Sequence, residues 1–189
     1  MRVPEAKLLN GTAQQYQALD EAIRTAQFIR NKCLRHWMDN QGVGRAALYA
    51  LCKNLAREFP FAQKLNSSAR QASAERAWSA ISTFYRRCQN QEAQKGCPQF
   101  QKHCRSVEYK VSGWKLAADR MSLTFTDGFQ AGTFALYCNG EVRQDILTLK
   151  INRCGWCGEP MATTPSSAWT WSVRSRWSPP ARWRGWMWA

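Results

Sequence analysis

The chain has 189 residues, enough for one domain or two small ones, and its 27 basic against 13 acidic side chains give a formal charge of +14. An excess of that size favours a polyanionic partner, because Lys and Arg that neutralise phosphates release condensed counterions. The N-terminus, Met1-Arg2-Val3-Pro4-Glu5-Ala6-Lys7, has no apolar core of a signal peptide and no apolar run approaches a membrane span; the eight cysteines are expected as reduced thiols of a cytoplasmic protein, nucleoid-associated if it binds DNA.

Helix signals fill the first 90 residues. Thr12-x-x-Gln15 is a capping-box pattern, and behind it Tyr16, Leu19, Ile23, Ala26, Cys33 and Trp37 keep helical spacing up to a stop at Gly42. Arg30 falls on that apolar stripe, either as a snorkelling or ion-paired arginine or as a phosphate contact held at a helix seam. Leu48, Leu51, Leu55 and Phe59 mark a second helix, which must end by Pro60 because the proline ring cannot continue the ladder. A third opens at Asn66-Ser67-Ser68, where Ser68-x-x-Gln71 is again a capping-box pattern, and runs to about Cys88. Its apolar set, Ala74, Trp78, Ile81, Tyr85 and Cys88, lies roughly opposite Arg76, Thr83 and Arg87, so the simplest account is core on one side and cations on the other.

After a polar linker, Gln89 to Lys95, and the turn former Gly96-Cys97-Pro98, the period changes to two. Val107, Tyr109 and Val111 alternate with polar residues, as do Met121, Leu123 and Phe125, and then Phe134, Leu136 and Cys138. Asp127-Gly128 and Asn139-Gly140 are hairpin-type turns, and Leu147, Leu149 and Ile151 predict a further strand. The class is therefore α+β: a helical bundle over residues 1–90 and a small, incomplete antiparallel sheet or barrel over 91–153.

The last stretch, 154–189, is compositionally foreign and expected to be disordered. It holds seven of the ten tryptophans and no Leu, Ile, Phe, Tyr, Lys, Asp, Asn or Gln. Trp and Met have one codon each, so Trp186-Met187-Trp188-Ala189 must be TGG ATG TGG GCN. Moved back one base, it spells an aliphatic residue followed by Asp-Val-Gly. The same shift turns Trp169-Thr170-Trp171-Ser172 into an alternating, strand-like segment. The stretch reads as an out-of-frame tail.

Several pieces of the chain, in order, resemble the N-terminal half of the TnpB-type (OrfB-type) proteins of insertion sequences, relatives of type V CRISPR nucleases. They are Phe28-Ile29-Arg30-Asn31, then Phe59-Pro60 with Leu65-Asn66-Ser67, then Ala69-Arg70-Gln71-Ala72 leading to Phe84-Tyr85-Arg86-Arg87. Lys95-Gly96-Cys97-Pro98-Gln99-Phe100 follows, similar to the family's Lys-Gly-Tyr-Pro-Arg-Phe. After it come Ser106-Val107-Glu108-Tyr109-Lys110, Gly113-Trp114-Lys115-Leu116 and Phe125-Thr126-Asp127-Gly128-Phe129. Cys97 and Gln99 depart from the family's usual Tyr and Arg. The resemblance implies a helical recognition part that interrupts a β-barrel wedge part, with DNA or guide RNA as partners. It also implies an RNase H-like nuclease beyond, whose first metal-binding Asp corresponds to the shifted Trp186-Met187-Trp188 segment. The chain would then be a truncated transposase-family protein without cleavage activity, and Mg²⁺ is expected only for the full-length family nuclease.

The chemistry of single residues agrees with binding better than with catalysis. A two-metal nuclease needs converging carboxylates, whereas Asp119, Asp127 and Asp145 are sheet or turn residues with no constellation to join. His36 and His103 have no visible acid or nucleophile partner. Cys154-Gly155-Trp156-Cys157 resembles a redox motif but lacks the following helix, and Cys97, His103 and Cys104 do not have knuckle spacing, so no catalytic or metal-ligating residue is assigned. The alternatives are a small redox or zinc module built on that Cys pair and the Trp-rich tail, or an inert decayed remnant. Candidate nucleic-acid contacts are Arg30, Lys32, Arg35, Arg70, Arg76, Arg86, Arg87, Lys95, Lys102, Arg105, Lys110 and Lys115. Tyr109 and Trp114 are candidate stackers, although their alternation on strands favours core burial.

Overall fold

A computed structural model describes residues 5–138, 153–158 and 169–174. Helix α1 (Ala13–Asp39) begins at the expected capping box: the Thr12 hydroxyl accepts from the Gln15 N–H at 3.2 Å, and the Gln15 side chain accepts from the Thr12 N–H at 2.9 Å. Gln15 also donates through Nε2 to the Ala131 carbonyl at 2.7 Å, so one side chain both caps the helix and ties it to the sheet. Helix α2 (Arg45–Glu58) stops before Pro60, which instead opens the short α3 (Pro60–Lys64) at a position where its missing N–H is not needed. Helix α4 (Ser67–Gln89) is capped by Asn66, whose side-chain oxygen accepts from the Ser68 N–H at 2.8 Å. That corrects the capping box expected at Ser68-x-x-Gln71: Ser68 lies inside the helix, and its hydroxyl donates to the Ser112 carbonyl.

Seven strands are described: β1 (Glu5–Leu9), β2 (Ser106–Tyr109), β3 (Trp114–Leu116), β4 (Ser122–Phe125), β5 (Gly132–Tyr137), β6 (Arg153–Gly158) and β7 (Trp169–Arg174). They form one antiparallel sheet in the order β2-β6-β7-β1-β5-β4-β3. The two outermost strands, β2 and β3, are joined by only four residues, 110–113, so the sheet has to curl until its ends approach. Gly113 makes that turn at φ +96°, where a Cβ would sit 2.5 Å from the Tyr109 ring. The Tyr109 ring reaches across to Phe125 of β4 with centroids 6.1 Å apart.

The α+β class is therefore as expected, and the alternating segments at Val107, Leu123 and Phe134 are strands with those side chains fully buried. β1 went unrecognised, yet it pairs with both β5 and β7, so the four helices interrupt the sheet between β1 and β2. The disorder expected for 154–189 is corrected at two places: β6 pairs with β2 and β7, and β7 pairs with β1. Trp169-Thr170-Trp171-Ser172-Val173 alternates and is rich in aromatic and β-branched residues, and it meets unpaired strand edges on both sides. The strand expected at Leu147 to Ile151, the turn at Asn139-Gly140 and Asp145 lie outside the described residues.

One core joins helices and sheet. Leu19, Ile29, Leu34, Leu48, Leu65 and Ile81 from the helical side are continuous with Leu8, Val107, Tyr109, Leu123 and Phe134 from the strands. Fully burying each such side chain contributes roughly 1.5–3 kcal/mol. No described helix is long and apolar enough to cross a membrane.

Candidate nucleic-acid interface

The cationic residues divide into two sets by burial. Arg30 is buried, with Nη1 donating to the Gln99 carbonyl at 3.3 Å and to Asn31 Oδ1 at 3.2 Å; burial pulls its pKa below the ordinary arginine value. Arg70 donates through Nη1 to the carbonyls of Ala62, Gln63 and Leu65, closing the α3–α4 corner. Arg76 donates to the Ser106 carbonyl at 2.9 Å and lies 3.9 Å from the Glu108 carboxylate, fastening α4 to β2. Arg87 is buried beside Glu92 at 3.5 Å, and Lys110 lies 2.6 Å from Glu75. Arg105 is half-buried, its Nη2 without a hydrogen-bond partner among the described residues. The basic face expected on α4 is thus largely turned inward, because α4 packs against α1, α2 and β2 and offers solvent only a narrow strip. Tyr109 is fully buried and so offers no stacking surface, whereas Trp114 is half-buried against the core with its indole N–H donating to the Lys110 carbonyl.

Lys32, Arg35, Arg86, Lys95, Lys102 and Lys115 remain exposed. The structure brings Lys32 and Arg35 together with Arg24, Phe28 and Phe100 around an open cleft of about 420 Å³. Arg24 escaped the sequence reading. The signal for it is the spacing Arg24, Phe28, Lys32, Arg35, whose steps of four, four and three run down one helix face.

The other wall of the cleft is an extended strap, residues 97–105, laid across α1. Three side chains of α1 hold it. Gln27 Nε2 donates to the carbonyls of Gln101 and Lys102, both at 3.0 Å, and Gln27 Oε1 accepts from the Cys104 N–H at 2.7 Å. Asn31 exchanges two bonds with the Gln101 backbone at 2.8 and 3.0 Å, and Arg30 grips Gln99. Phe100 sits between these anchors and is 45% exposed. On the α1 side, Lys32 Nζ lies 5.6 and 5.8 Å from the ring centroids of Phe28 and Phe59, within cation–π range.

Arg24 pairs with Asp20 at 2.7 Å and Arg35 with Asp39 at 2.9 Å, both one helical turn apart and well exposed. Such pairs contribute about 0–1 kcal/mol, so a phosphate can replace the carboxylate with little loss. A larger neighbouring cleft of about 570 Å³, lined by Trp37, Met38, Tyr85 and Cys97, has Asp39 and no Lys or Arg in its wall.

Carboxylates with described contacts are occupied locally. Glu75 serves Tyr49, Arg45 and Lys110; Asp119 accepts from the Met121 N–H; Asp127 accepts from Tyr109 and from the Phe129 N–H. Among the described residues no three His, Cys, Asp or Glu side chains converge as a metal site. Cys154-Gly155-Trp156-Cys157 runs inside strand β6, not at the start of a helix that would lower a thiol pKa. No protein-family model matches the chain, and no curated protein matches it.

Proposed function

We propose that the chain is the nucleic-acid-binding N-terminal part of a TnpB-type insertion-sequence protein, contacting DNA or guide RNA in DNA transposition and cleaving neither. The cleft carries this reading: three cations and two aromatic rings share one wall-to-wall surface with no carboxylate in its lining. The interruption of the sheet by four helices between β1 and β2 supports it further, since a helical recognition part within a wedge is what the resemblance implies. Cytoplasmic, nucleoid-associated residence follows from the same reading.

The test is binding of the purified chain to labelled RNA and DNA over a salt series, together with incubation in Mg²⁺. Affinity should fall linearly in log–log form with a slope near −0.7 to −0.9 for each phosphate neutralised, and the strands should stay uncut. Absence of binding, salt-insensitive binding, or Mg²⁺-dependent cutting abolished by a point substitution in this chain would refute the proposal.

A further inference from the structure

We infer that the α1–strap cleft is a site for one unpaired, unstacked nucleobase, seated on the Phe100 ring with its flanking phosphates on Lys32, Arg24 and Arg35, so that the chain selects single strands over duplex. This rests on the nucleic-acid reading above and specifies its ligand.

Phe100 is the first argument. A phenylalanine on a loose loop would turn its ring inward, but here the residues on either side are bonded through their backbones to Arg30, Asn31 and Gln27. The strap backbone is anchored on both sides of Phe100 and its ring stands partly in water, which is the placement a stacking platform needs. A duplex keeps the faces of its bases covered by their neighbours, so only an unstacked base can offer a face to that ring.

The second argument is what the polar groups of the cleft are already doing. Both amides in its wall, Gln27 and Asn31, have their oxygen and their nitrogen engaged by the strap backbone. What remains is Lys32, two arginines in exposed and weak ion pairs with Asp20 and Asp39, and aromatic surface, a set that suits a phosphate chain and a base face. The cleft, about 420 Å³ and open to solvent, has room for one base beside the Phe100 ring.

The experiment uses the full chain and three labelled probes: a single-stranded 12-mer, the same 12-mer with abasic sugars throughout, and a blunt-ended 12-base-pair duplex of the same strand with its complement. Phe100→Ala should weaken the base-bearing strand about tenfold or more and leave the abasic strand and the salt slope unchanged, while Phe100→Trp should keep affinity and show fluorescence quenching on binding. Lys32→Gln should flatten the salt slope by about one for both strands. More than half of Phe100 is covered, so the alanine variant is expected to melt below the parent, and binding is compared at a temperature where both are folded; Phe100→Leu, which keeps apolar bulk without a flat ring, should melt closer to the parent and still lose affinity for the base-bearing strand. Equal binding of base-bearing strand by Phe100→Ala and the parent, a Phe100→Ala loss as large on the abasic strand, or a duplex bound as tightly as the single strand would overturn this inference alone. Failure of every probe to bind would overturn the nucleic-acid reading with it.

Discussion

The Gln27 side-chain oxygen accepts from the backbone N–H of Cys104 at 2.7 Å, joining positions 77 residues apart in sequence. The same side chain donates to two strap carbonyls, so it acts as a clamp whose removal would leave three backbone groups seeking water. Gln27→Ala should cost about 1–3 kcal/mol of stability and raise hydrogen exchange at the Gln101 and Cys104 amides. It should also weaken single-strand binding with the charge of the cleft unchanged, since the strap no longer fixes Phe100. Unaltered exchange at Cys104 would show that the strap holds without it.

The burial pattern predicts that the arginines separate into two phenotypes. Arg24→Gln and Arg35→Gln should each reduce the salt slope by about one and leave the melting curve in place, because both side chains are well exposed in weak pairs. Arg70→Gln should do the reverse. Its guanidinium satisfies carbonyls at the α3–α4 corner, and losing hydrogen bonds from a charged donor costs about 1.5–3 kcal/mol while removing no phosphate contact. Salt titration of binding beside thermal unfolding checks all three variants.

How far this could be read in advance depended on the scale of the signal. The helices were legible because capping chemistry and a 3.6-residue stripe are local, and the capping box at Thr12 is present as the spacing requires. β1 was not: Ala6 and Leu8 are buried while Lys7 between them is exposed, but two inward residues in a segment of five, with no β-branched or aromatic side chain, are too short a signal, and the segment becomes a strand through pairing with β5 and β7, which lie far away in sequence. The cationic residues were legible in type but not in role. Arg76 and Arg87 look like a solvated face on a helical wheel, and only the packing of α4 against several neighbours turns them into internal ties. The cleft was half legible: Lys32 and Arg35 were candidates, but their partner Phe100 arrives from a segment with no periodic pattern at all.

Glu75 gathers Lys110, Tyr49 and Arg45 at the junction of α2, α4 and the end of β2. Desolvation would raise its carboxyl, but hydrogen bonds from Lys110 and Tyr49 and the charges of Lys110 and Arg45 outweigh it and hold the pKa below the usual range. A folded-state value below the unfolded one, about 4.3, gives stability that is present above that value and is lost as pH falls through the folded one. Glu75→Gln should therefore be less stable than the parent at neutral pH, by about 1–3 kcal/mol, with the deficit shrinking in acid. Urea midpoints at pH 7 and pH 3 measure it, and a deficit that is equal at both would exclude the ionic contribution.

Asp127 should show the opposite dependence. Its partial burial in the turn between β4 and β5 raises the carboxyl pKa, and the hydrogen bonds from Tyr109 and from the Phe129 N–H only partly compensate. The Tyr109 hydroxyl is likewise pushed up, first by its own burial and then by the Asp127 charge, so it remains a donor throughout the accessible range. With the folded value of Asp127 above the unfolded one of about 3.9, the stabilising difference is complete below the unfolded value and is lost as pH rises through the folded one. Asp127→Asn keeps an oxygen for the Tyr109 hydroxyl and removes the buried charge. Its stability relative to the parent should thus improve between pH 4 and pH 7, whereas the Glu75→Gln deficit should deepen over the same interval. Both variants assayed in one pH series give curves of opposite slope if the two carboxylates sit as the structure places them, and parallel curves would contradict the Asp127 assignment.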